Sequence, residues 1–139
     1  MTRVDFYVVT ESGIDARLQV AVRLADKVLA AGHQLFINAS DEDQAIALDE
    51  LLWSAKPTSF LPHVLFDAKE SAPIQIGWGQ DPGEQNDVLI NLSNATPAFF
   101  SRFNRVAEVV TQDPAQIESM RDAWRFYRDR GYPLAKHDL

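Results

Sequence analysis

Asp87-Val88-Leu89-Ile90-Asn91-Leu92 is a nearly unbroken apolar run, and a strand apolar on both faces belongs inside a parallel sheet, where helices cover each side. Upstream, Pro73-Ile74-Gln75-Ile76-Gly77-Trp78 reads as another strand, and Gly79 to Asn86, with Asp81, Pro82 and Gly83, as the surface loop joining the two. Further back, Arg3 to Val9 is rich in β-branched and aromatic residues and reads as a first strand ended by Thr10-Glu11-Ser12-Gly13. Ile14, Leu18, Ala21, Val22, Ala25, Val28 and Leu29 then recur at helical spacing, with Gly32 as the stop. Gln34 to Asn38 is a short strand, and Ser40 with Asp43 three residues on resembles the capping box of a helix running to about Trp53. Pro57 and Pro62 break the chain between 54 and 63. After Leu92 the spacing predicts a short helix from Pro97 to Phe103, a brief strand from Ala107 to Val110, and a long helix over 113–130.

Alternating strands and helices of this kind predict one α/β domain over 1–139: a three-layer sandwich with a largely parallel sheet flanked by helices, Rossmann-like or nucleotidase-like in outline. The length of 139 residues suits a single core. Hydrophobic residues at 46% and charged residues at 24% fit a soluble globular chain, and no apolar run approaches the ~20 residues of a membrane helix. The first residues enter a strand directly, without the pattern of an export signal, so a cytoplasmic location is expected. Cysteine is absent, which excludes disulfides, thiolate metal sites and cysteine nucleophiles. A net charge of -7 opposes sequence-independent nucleic-acid binding, so any nucleic-acid role is expected to be indirect.

Sheets of this type often bind nucleotides at the carboxyl ends of their strands. Thr10-Glu11-Ser12-Gly13 lies where a phosphate loop would be, but has one glycine, no lysine and an acid in its place; Gly77-Trp78-Gly79 lacks the third glycine. No Gly-x-Ser-x-Gly elbow occurs, and His33, His63 and His137 have no second histidine at metal-ligand spacing. Asp41-Glu42-Asp43 could hold magnesium, although its position at a helix start is explained by the helix dipole. No catalytic residues, metal or cofactor are expected; a small nucleotide-binding or phosphotransfer enzyme using Glu11 or Asp41 is the alternative.

The last helix holds the strongest binding signal. A turn of 100° per residue puts Ile117, Met120, Trp124 and Tyr127 on the buried side, Arg121, Arg125 and Arg128 along one margin, and Glu118, Asp122 and Asp129 along the other. Like charges one turn apart, as in Arg121 and Arg125, weaken a helix by roughly 0.2–0.5 kcal/mol. An external anion explains their pairing, with Trp124 as an aromatic anchor beside them. The competing explanation is an ordinary solvated helix in which Glu118 reaches Arg121 and Asp129 reaches Arg125. A third reading is direct binding of single-stranded nucleic acid by Trp124 and the arginines. A second cluster, Leu48, Leu51, Leu52 and Trp53 followed by Phe60, Leu61, Pro62 and His63, crowds bulky apolar groups into a proline-punctuated segment, as a core plug or a contact surface.

Leu48-Asp49-Glu50-Leu51-Leu52-Trp53, Ser59-Phe60-Leu61-Pro62-His63, Pro73 to Trp78, Asp87 to Leu92 and the closing Arg121 to Leu134, with Tyr127-Arg128-x-x-Gly131-Tyr132, together resemble the chi subunit of bacterial DNA polymerase III over nearly the whole chain. The resemblance implies a noncatalytic accessory subunit of the clamp-loader complex that pairs with the psi subunit and grips the acidic C-terminal tail of single-stranded DNA-binding protein. It carries tail binding onto Arg121, Trp124 and Arg125, with Val110 as an apolar floor, and the psi contact onto Trp53, Phe60 and Pro62 with Leu61 and His63 as neighbours. Such a tail ends in acidic residues and a phenylalanine carboxylate, which guanidinium forks and an apolar slot would hold. Ile117 departs from the pattern where another basic residue would be expected, with Arg128, Arg130 or Lys136 as compensating cations.

Overall fold

The computed structural model describes residues 2–54, 63–65, 73–79, 81–83 and 85–139. Seven strands form one sheet: β1 (Arg3–Val8), β2 (Leu35–Asn38), β3 (His63–Leu65), β4 (Ile74–Gly77), β5 (Val88–Asn91), β6 (Arg105–Val110) and β7 (Leu134–Asp138), in the spatial order β3-β4-β2-β5-β6-β1-β7. Every neighbouring pair is parallel. Three helices cover it: α1 (Ile14–Ala30), α2 (Glu42–Ser54) and α3 (Pro114–Asp129). The core divides as a three-layer sandwich requires. α1 and α2 pack on one face over Ile37, Ile76, Ile90 and Val109; α3 packs on the other, where Phe6, Phe36, Leu89 and Val106 meet Tyr127. The run that opened the sequence reading, all four residues of β5 buried, lies at the middle of this sheet.

Three local expectations change. α2 is capped by Asp41 rather than Ser40: the Gln44 N–H donates to Asp41 Oδ1 at 2.8 Å, while the Gln44 side chain reaches back to accept the Ser40 N–H at 2.7 Å. This is a capping box displaced by one residue, because Asp41 puts its carboxylate on the third helical N–H. Asp41→Ala should therefore cost about 1 kcal/mol, seen as a lower urea midpoint with an unchanged slope. The segment Pro97–Phe103 holds only one 3-10 turn, Phe100–Arg102, whose Phe100 side chain is buried. β6 begins two residues before the expected Ala107 and carries a buried Glu108.

Two strands were not expected. β3 follows Pro62 within the segment read as a chain break, and β7 follows Gly131 and Pro133 after the last helix. α3 ends in a Schellman turn, with Gly131 at φ +80°, its N–H donating to the Arg128 carbonyl at 2.9 Å and the Tyr132 N–H to the Tyr127 carbonyl at 3.1 Å. That reversal returns the chain to the sheet, where β7 adds outside β1 as an edge strand.

Candidate interaction site on the terminal helix

Parallel register decides which side chains share a face, since paired neighbours project to the same side of a sheet. Phe6 pairs with Glu108 of β6 and with Lys136 of β7. Phe6 packs on Trp124 of α3, ring centroids 5.2 Å apart, so Glu108 and Lys136 also stand on the α3 face. Below α3, the Tyr127 hydroxyl donates to Glu108 Oε2 at 2.7 Å, and Asn91 Nδ2 donates to both carboxylate oxygens at 3.0 and 3.3 Å. Burial pushes the Glu108 carboxyl up to about 7, against the opposing pull of Tyr127, Asn91 and the nearby Arg17 charge. Arg17, buried as well, is pulled down to about 10 by the same desolvation, and its Nε donates to the Val109 carbonyl at 2.9 Å.

These contacts orient α3 about its axis. Tyr127 points at β6, so Gln116, Ser119, Met120 and Ala123 face the 93–96 loop, where with Val110 and Glu108 they line a small cleft. Counting ~100° per residue, Ile117, Arg121, Trp124 and Arg128 fall on the opposite flank, toward β1 and β7. Arg121 and Arg128 are exposed there and Trp124 is half-buried. Lys136 is exposed on the neighbouring edge strand. Helical spacing and strand register thus set Arg121, Trp124 and Arg128 on one flank of α3 and Lys136 on the sheet face that α3 covers. Arg125 points outward, its Nη2 3.5 Å from Asp122 Oδ1, and Arg128 meets its own neighbour Asp129 at 3.3 Å. Both pairs are exposed and differ from the Glu118–Arg121 and Asp129–Arg125 pairing that helical spacing allowed. Val110 is buried on the far flank, in the cleft lined by Met120 and Ala123 rather than beside the arginines. Arg130 lies 3.7 Å above the Phe126 ring, also away from them.

Of the apolar cluster, Trp53 is 55% exposed at the end of α2, one helical stripe from Ile46 at 41%. Leu48 and Leu52 turn inward and are buried. Phe60, Leu61 and Pro62 lie outside the described residues, and His63 opens β3.

At the carboxyl ends of the strands, a crevice is lined by Gly13, Arg17, Ser40, Gln44, Thr111 and Asp113. In nucleotide-binding sheets the first helix offers its N-terminal N–H groups to a phosphate. Here Gly13, at φ +101°, donates its N–H to Asp113 Oδ2 at 3.0 Å, and Thr111 Oγ1 donates to the same oxygen at 2.8 Å. Those two bonds hold the Asp113 carboxyl below the usual range. A carboxylate of the protein itself thus occupies the phosphate position. Asp41 is engaged as a helix cap, and among the described residues no three metal-ligating side chains cluster.

The family model for the DNA polymerase III chi subunit, HolC, matches residues 1–135. The chain belongs to that family. It is 47% identical over 139 residues to the DNA polymerase III subunit chi of Pseudomonas aeruginosa, covering 100% of this chain and 98% of that protein. The subunit chi of Haemophilus influenzae is 30% identical over 137 residues, covering 96% of this chain and 95% of its own length. That of Escherichia coli is 30% identical over 128 residues, at 90% and 87% coverage. The chain also resembles Mss116p DEAD-box helicase domain 2 bound to an RNA duplex, with a TM-score of 0.64 at 10% identity, over 97% of this chain and 64% of that one. At that identity the likeness is one of fold.

Helical spacing groups Arg121, Trp124 and Arg128 in the sequence, and strand register puts Lys136, one of the compensating cations expected for Ile117, on the sheet face that α3 covers. Glu108 passed as one residue of a strand; a single acid inside Val106-Ala107-x-Val109-Val110 is the signal that could have found it.

Proposed function

We propose that this chi-family chain is a noncatalytic accessory subunit of DNA polymerase III that holds the acidic C-terminal tail of single-stranded DNA-binding protein on the flank of α3 that faces β1 and β7, and the psi subunit on the exposed end of α2. What supports the reading is that Trp124 packs on Phe6 with Arg121 and Arg128 on its own flank of α3, and that Lys136 stands beside Phe6 on the same sheet face, in a chain of net charge -7. Guanidinium groups pair with the tail carboxylates, and the ring wall formed by Trp124 over Phe6 receives the terminal phenylalanine. Lys136 supplies the cation that Ile117 does not. Screening over ~8 Å at physiological salt confines the effect of the distant acids.

A pull-down with single-stranded DNA-binding protein tests it: the intact protein should be retained, and the same protein lacking its final residues should not. Retention of both would defeat the reading. On the second surface, Trp53→Ala should weaken psi association by about 2 kcal/mol, roughly thirtyfold, as loss of an exposed aromatic anchor does. Tail-peptide affinity should be unchanged, since α2 packs on the opposite face of the sheet. The Asp113 carboxylate at the head of α1 weighs against the nucleotide-binding alternative.

A further inference from the structure

We infer that the acidic peptide binds as an added strand, paired through the backbone to the open edge of β7; this rests on the tail-binding reading above. Among the described residues β7 ends the sheet, with β1 as its single neighbour. The Val4 N–H donates to the Pro133 carbonyl at 3.0 Å and the Leu139 N–H to the Val8 carbonyl at 3.0 Å. A parallel ladder bonds alternate residues, so 133, 135, 137 and 139 turn their backbone groups toward β1. The N–H and C=O groups of Leu134, Lys136 and Asp138 therefore point to the open edge.

Register with Val4, Phe6 and Val8 puts the side chains of those same three residues on the α3 face. A peptide extended along this edge would lay every second side chain beneath the flank that carries Arg121, Trp124 and Arg128. Its carboxylates meet cations there. The acids already present, Asp129 beside Arg128 at 3.3 Å and Asp138 beside Lys136 at 3.5 Å, form exposed pairs of the weak kind that a ligand displaces. A second copy of the chain is a poorer occupant, because a two-fold antiparallel edge pairing centred on residue 136 sets Lys136 against Lys136.

The test is amide hydrogen exchange on the full chain, free and saturated with a synthetic acidic peptide ending in phenylalanine. The Lys136 N–H should exchange at least about tenfold more slowly in the complex. Lys136→Pro, which removes the outward N–H at an edge position where proline is tolerated, should weaken the peptide roughly tenfold beyond Lys136→Ala, the value of one backbone hydrogen bond. Peptide binding that depends on Arg121 with unchanged exchange at Lys136 would overturn strand addition while leaving tail binding in place. Failure of the peptide to bind would overturn both. Protection of Lys136 in the free chain that grows with protein concentration would assign the edge to self-pairing and overturn the inference.

Discussion

Reversing one charge, Arg121→Glu, should reduce affinity for an acidic, phenylalanine-ended peptide by a hundredfold or more, about 3 kcal/mol by calorimetry, because a guanidinium contact is lost and a carboxylate repulsion takes its place. Arg121 is exposed and no ion pair among the described residues engages it, so the fold should be untouched. Arg23→Glu, on the exposed side of α1 against the opposite face of the sheet, changes net charge equally and should alter affinity less than about threefold, given screening. Equal losses in the two variants would mean that general electrostatics, rather than the α3 flank, attracts the peptide. Raising the salt should weaken the unmodified protein and leave Arg121→Glu little further to lose.

Wild-type stability should fall by about 3 kcal/mol between pH 5 and pH 8, and Glu108→Gln should remove most of that slope. Burial raises the folded-state value of Glu108 from 4.5 to about 7, so the native state favours the neutral carboxyl. Its contribution is complete below about pH 4.5 and disappears as the pH rises through about 7. Glutamine keeps the shape and a hydrogen-bonding amide beside Tyr127 and Asn91 without a charge to bury, so the variant should be the more stable protein at pH 8 and close to wild type at pH 5. Asp5 titrates in the other direction. Burial pushes its carboxyl up, but hydrogen bonds from His137 and Arg105 and the Arg105 and Arg3 charges outweigh this and hold it below the ordinary value of 3.8. Stability from Asp5 is present above that value and lost only at lower pH, outside the window in which Glu108 acts. Urea unfolding of both proteins at the two pH values measures the difference; equal slopes with pH would mean that Glu108 stays ionised throughout.

The inner strands were readable because a site buried on both faces demands apolar residues in succession, as Val88 to Asn91 and Leu35 to Asn38 show with every position buried. β7 was not, because Leu134-Ala135-Lys136-His137-Asp138 belongs to an edge, where charged side chains are tolerated and discourage unwanted pairing. Its extended form comes from bonding to β1, a partner more than a hundred residues away. β3 was concealed by the prolines before it. On α3, spacing placed the arginines on a margin but could not choose among carboxylates three or four residues away, and the choice of Asp122 by Arg125 follows from side-chain packing. Val110, which the family resemblance assigns to an apolar floor, is buried in the cleft that Met120 and Ala123 also line, a placement that spacing along the sequence does not give.

The position of β1 has a consequence for biosynthesis. Both of its neighbours, β6 and β7, are translated after β2 to β5, so Val4 must wait for Val106 before one side is paired and for Leu134 before the other is. At roughly 5–20 residues per second on the ribosome, the strand stays unpartnered for several seconds or more. Its side chains Val4, Phe6 and Val8 are meanwhile a sticky segment for chaperones to shield, while β2, β4 and β5 can already assemble. A chain cut short before β6 and β7 would therefore leave Val4, Phe6 and Val8 without either of their sheet neighbours.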